Sequence, residues 1–195
     1  MMRKKKQKKE LDSAIRRSRK LLVSGQHEAN FDFLRAAVEK FPADPEIRLL
    51  YATVLLEYGP EQVAAEAAKA AELGRDEPRI LVSAAGLMFN RGEVAKAKTW
   101  LARANELAPA DFILGPSLMN LNGLVAASDG EYELAEERLR SALESEPDNG
   151  PFAIDLARHL VSRKRKKEAL EVIDQALMRT DQRENLTRYR AEIAQ

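Results

Sequence analysis

Apolar residues along this chain recur every three to four positions in paired runs. In one interval Ile80, Leu81, Ala84, Ala85 and Met88 form the first run, and Val94, Ala97, Leu101 and Ala104 form the second. Each run places its apolar side chains on one face of a helix. A short stretch centred on Gly92 separates them, too brief for anything but a tight turn, so the interval reads as a helical hairpin. The same pattern repeats around Gly25, Gly59, Gly92 and Gly130, which lie 34, 33 and 38 residues apart. Five residues after each glycine stand Asn30, Ala64, Ala97 and Ala135, and twelve after stand Ala37, Ala71, Ala104 and Ala142. A fifth interval keeps Ala169 and Ala176, with Lys164 in place of the glycine. Self-similarity at this period predicts a solenoid in which each hairpin buries its apolar face against its neighbours.

The small residues set the packing distance. Seven positions before each turn stand Ser18, Ala52, Ala85, Gly123 and Ala157. Small side chains there, facing the Ala97 class of position, let two helix backbones approach closely, and larger ones would hold them apart. Pro42, Pro109 and Pro147 follow second helices, where a residue that cannot continue a helix is expected.

The Gly, Ala and Pro spacing resembles the tetratricopeptide repeat over 11–183. The large positions match more loosely: the family's Trp position holds no Trp, and Trp100 occupies a second-helix site instead. The first interval departs further, with Arg17 where leucine is usual, as suits a terminal unit with a polar outer face. The resemblance implies an all-α, right-handed solenoid of about five hairpins (11–44, 45–77, 78–111, 116–149 and 150–183), forming a single superhelical domain over 11–193. A capping helix near 183–193 closes it, and a basic, disordered tail of residues 1–10 precedes it.

The resemblance also implies a binding face. In this family the first helices line a groove that holds extended peptides or single helices. Carried onto this chain, the lining positions include Ile15, Arg19, Leu22, Leu49, Thr53, Leu56, Val82, Gly86, Phe89 and Asn90, then Asn120, Leu124, Ala127, Ile154 and Arg158. The carboxylate clamp of the chaperone-tail-binding subgroup does not carry over, because its places hold Ile15, Arg19 and Leu50. Arg16, Arg19, Arg79 and Arg158 are the candidate charged anchors.

Charge changes the picture in one respect. A net charge of +1 conceals a balance of +8 over residues 1–20 and of −6 over 129–148. A second basic run, Arg163 to Lys167, falls in the turn of the fifth hairpin. Basic runs can recruit nucleic acid or an anionic membrane, which makes residues 3–20 an alternative functional segment. No aromatic residue interleaves them to stack on bases.

Catalytic chemistry has little to work with. There is no cysteine, so no thiol nucleophile and no disulfide or zinc framework. His27 and His159 stand far apart without a second ligand at zinc spacing. No phosphate-binding or dinucleotide-binding glycine motif occurs, and Glu131, Glu133, Glu136 and Glu137 fall on a helix surface with nothing to desolvate them. The expectation is a cytoplasmic, non-enzymatic interaction module without cofactor or metal, binding a protein or peptide, acting as adaptor, co-chaperone-like module or assembly scaffold, with homo-oligomer formation or membership of a larger complex as further outcomes.

The repeat rhythm slips once. Four extra residues, Phe112, Ile113, Leu114 and Gly115, precede Pro116, and Gly115-Pro116 reads as a helix start. Three consecutive large apolar residues in a connection are unusual. Phe112, Ile113 and Leu114 are therefore a candidate apolar contact for a partner or a second copy.

Overall fold

A computed structural model describes residues 2–108, 114–181 and 183–194, with the side chains of 2–4 left aside. All regular structure among these residues is helical. The contacts gather into two compact units, divided between Leu107 and Ala108.

The N-terminal unit holds three hairpins: α1 (Met2–Val23) with α2 (His27–Lys40), α3 (Pro45–Tyr58) with α4 (Val63–Leu73), and α5 (Pro78–Asn90) with α6 (Val94–Leu107). The C-terminal unit holds two more, α7 (Gly115–Ser128) with α8 (Tyr132–Ser145) and α9 (Gly150–Ser162) with α10 (Lys166–Leu177), and ends in α11 (Glu184–Ala194). Helix starts follow from the sequence. Prolines stand in the first turn of α3, α5, α7 and α9, where a missing N–H is harmless. Asp44 caps α3 by accepting from the Ile47 amide at 2.9 Å, and Asn149 does the same for α9.

The small-residue seam is buried at nearly every position. Ser18, Ala52, Ala85 and Ala157 are fully enclosed, as are Ala97, Ala135 and Ala169. At Gly123 the approach is closest: a Cβ there would lie 2.9 Å from Leu139 Cγ and 3.2 Å from the Ala135 carbonyl oxygen. Gly25, Gly92 and Gly130 turn with φ of +70°, +76° and +81°. Lys164 occupies the same place in the fifth hairpin and is forced to φ +61°. A side-chain-bearing residue in that left-handed region costs roughly 1–2 kcal/mol. Lys164→Gly should therefore raise stability by about 0.5–1 kcal/mol once glycine's extra unfolded-state entropy is deducted, read as a higher midpoint in urea denaturation.

The second hairpin departs from the shared register. Gly59 adopts extended backbone at φ −169°, and a 3₁₀ turn over Pro60–Gln62 replaces the glycine-centred one. In α4 Val63, Ala67 and Ala70 are buried, and so is Ala71 at its expected place, while Ala64 is only half-buried.

Three other expectations change. Residues 2–10, read as a disordered tail, are continuous with α1; no Gly or Pro interrupts them before Gly25, and Lys, Arg, Gln and Glu are good helix formers. Glu136 is not a solvated surface acid: it is half-buried between Arg140 and Arg165. Burial alone would raise its carboxyl, but hydrogen bonds from Arg165 and Arg140 outweigh it and hold the group below the ordinary range. Arg165, from the basic turn, also grips Glu168 at 2.6 Å, so this part of the run ties α8 to α10. His159, expected at the edge of the packed face, is buried, and that burial lowers its pKa.

Phe112 and Ile113 lie outside the described residues. Leu114 is half-buried at the start of α7, where its carbonyl accepts from the Leu118 amide at 2.8 Å.

Candidate interaction site

The first helix of each hairpin presents three rows, lying ten, six and three residues before the turn. In the N-terminal unit α1 touches α3 and α3 touches α5, so the rows run across three neighbouring first helices. The innermost row is Ile15, Leu49 and Val82. Ile15 and Leu49 are half-buried, whereas Val82 is 2% exposed and belongs to the core. In the middle row Thr53 turns its hydroxyl back to donate to the Leu49 carbonyl at 3.0 Å, and Gly86 offers no side chain. The outer row is Leu22, Leu56 and Phe89. Leu22 is 38% and Leu56 47% exposed, Phe89 is half-buried, and Asn90 beside it is exposed. Three large apolar side chains thus recur at one repeat position on three successive helices, with solvent access to each.

The charged anchors are mostly engaged. Glu46 on α3 pairs with Arg19 from α1 and with Arg79 from α5 at 2.8 Å. This bridge across three first helices was not visible in the sequence, because its partners lie 27 and 33 positions away. Arg16 and Lys20 remain exposed on α1.

In the C-terminal unit the same rows hold Asn120 and Ile154, Leu124 and Arg158, then Ala127 and Val161. Ile154 and Leu124 pack half-buried against the unit's core. Asn120 is 4% exposed and donates its amide to Asp155 at 2.8 Å. Val161 is exposed. Neither Val161 nor Asp155 is among the positions that the sequence singles out. A single acid in the otherwise apolar start of α9, between Ile154 and Leu156, was the available signal. Burial pushes the Asp155 carboxyl above its ordinary range, against the lowering effects of Asn120 and Arg158.

The family model for the tetratricopeptide repeat matches residues 126–193, which contain the fifth hairpin and most of the fourth. That stretch of the chain carries tetratricopeptide repeats. No curated protein matches it in sequence. A thermophilic tetratricopeptide repeat protein of Thermus thermophilus, TTC0263, superimposes with a TM-score of 0.75 at 22% identity, covering 94% of this chain and 98% of that one. PilF of Pseudomonas aeruginosa gives 0.70 at 19%, covering 96% and 86%. PilW, a type IV pilus biogenesis factor, gives 0.72 at 15%, covering 94% and 85%. At these identities the likeness shows the fold. Tetratricopeptide repeat proteins as a class mediate protein–protein interaction or assembly, typically as non-enzymatic scaffolds. Among the described residues no helix is long and apolar enough to cross a membrane, and no three His, Asp or Glu side chains converge as metal ligands.

Proposed function

We infer that this protein is a non-enzymatic adaptor or assembly module, and that the first-helix face of its N-terminal unit takes an apolar segment of a partner protein. One observation carries the reading: Leu22, Leu56 and Phe89 stand at one repeat position, and solvent reaches all three. Burying a leucine fully gains about 1.5–3 kcal/mol, so a row of three is enough to anchor a peptide or a helix. Arg16 and Lys20 on the α1 edge favour a segment with an acidic flank, because opposite charges speed and orient docking.

The test is a double substitution, Leu22→Asp with Leu56→Asp, in the full chain. Both side chains are exposed enough that the melting temperature should hold within about 2 °C. Affinity for a partner captured from source-cell lysate should fall at least about a hundredfold, following the burial of two leucines. Undiminished binding would overturn the reading. So would binding that survives the substitutions but collapses steeply as salt rises, because that response belongs to the basic α1 segment and a polyanion.

A further inference from the structure

Asp155 is poorly satisfied for a mostly buried carboxylate. Its side chain is 20% exposed, and one oxygen accepts from the Asn120 amide at 2.8 Å. The other oxygen faces the Arg158 guanidinium at 3.9 Å, beyond hydrogen-bond distance. Arg158 does not close that gap because its guanidinium lies over the Tyr189 ring of α11, 5.4 Å from the centroid. Asn120 is under-satisfied as well, since its Oδ1 is buried without a donor. Asn120 Oδ1 on α7 is thus buried without a donor, and among the described residues of the unit the second Asp155 oxygen on α9 has no protein donor nearer than the Arg158 guanidinium at 3.9 Å.

We propose that Asp155 is a recognition site for a cationic side chain, arginine or lysine, on the protein that binds this chain. Asn120 is its positioning residue. Buried on α7, it holds one carboxylate oxygen and leaves the other at the surface. The incoming cation donates to that oxygen and displaces the loose Arg158 contact, leaving Arg158 stacked on Tyr189. The carboxylate's desolvation is already in place before the ligand arrives, so a charge-assisted bond formed there is stronger than one at an exposed acid. An acid retained in a costly environment for fold stability alone would be expected to bond its partners fully. This inference rests on the interaction-module reading and adds a second, chemically distinct contact to it.

The experiment is an amide-resolved NMR titration of the full chain with two peptides, acetyl-Leu-Leu-Arg-Leu-Leu-amide and its citrulline analogue, which has the same shape without the charge. The arginine peptide should shift the amides of Asn120, Asp155 and Arg158, and the citrulline peptide should not. Asp155→Asn keeps an acceptor for Asn120 yet should weaken the arginine peptide at least about tenfold, as loss of a charge-assisted bond implies. Arg158→Gln removes the competing cation and should strengthen binding, an effect that a purely structural role for the cluster would not produce. Equal shifts from both peptides, an unaffected Asp155→Asn variant, or weaker binding in Arg158→Gln would each overturn the proposal. If shifts appear only at Leu22, Leu56 and Phe89 and are the same for both peptides, the Asp155 site falls and the apolar face stands. If neither peptide shifts any of these amides, the Asp155 site falls as well.

Discussion

Leu139→Ala should remove about 2–5 kcal/mol from the C-terminal unit, and Gly123→Ala should reverse sign in its presence. Leu139 is fully buried in the core cluster with Ala153, Leu156, Ile173 and Leu186, so truncation loses transfer energy and leaves a cavity. Gly123→Ala in the native chain forces a Cβ to within 2.9 Å of Leu139 Cγ and 3.2 Å of the Ala135 carbonyl oxygen. Overpacking of this kind costs about 1–3 kcal/mol, partly offset by about 1 kcal/mol from replacing a helical glycine. Once Leu139 is alanine, the nearest obstruction is gone and the added methyl fills part of the hole. Gly123→Ala should then stabilise. A double-mutant cycle in urea measures the coupling directly, and about 1–3 kcal/mol of favourable interaction is expected. Additive effects would mean that α7 and α8 do not meet at this seam.

Asn30→Ala should stabilise the N-terminal unit by about 1–2 kcal/mol, against the usual direction for a buried substitution. Asn30 occupies the position held by Ala97, Ala135 and Ala169 in other hairpins and is 1% exposed. Its Oδ1 has no hydrogen-bond partner, and neither does the enclosed Ser18 Oγ on α1. An unsatisfied buried acceptor carries a desolvation penalty of about 1–3 kcal/mol. Alanine removes it, suits the small-residue seam and favours the helix. The melting temperature should rise by several degrees. A fall would show that the Asn30 side chain supports the α1–α2 contact.

The hairpins are legible because helical periodicity and turn glycines are local signals. Gly25, Gly92 and Gly130 turn in the left-handed conformation, and Lys164 follows them although its residue type disfavours it. The second hairpin was legible only in part, because its turn is a 3₁₀ segment starting at Pro60, and Val63 rather than Ala64 is the residue buried after it. Equal spacing had hidden that change, placing Ala64 where Val63 and Ala67 carry the packing.

The candidate site was legible for its apolar part and obscure for its polar part. Leu22, Leu56 and Phe89 follow from the family resemblance, which assigns their repeat position to the first-helix face. Val82 and Asn120 share the repeat position of the half-buried Ile15 and Leu49, yet they are almost fully covered, and position in a repeat does not specify how much solvent remains. The Arg19–Glu46–Arg79 bridge and the Asn120–Asp155 bond join residues on different hairpins. Such pairings depend on which helices become neighbours and how they are rotated, which no local pattern encodes.

The most direct measurement places a photo-reactive benzoylphenylalanine at Leu56, on the first-helix face, and separately at Ala102, an exposed position on the second helix α6, each in the full chain within its source cells. A partner protein should be captured covalently through position 56, and that capture should be lost when Leu22→Asp is added, while position 102 yields none of that partner. Capture of the same partner through position 102, with none through position 56, would contradict the assignment of the binding face.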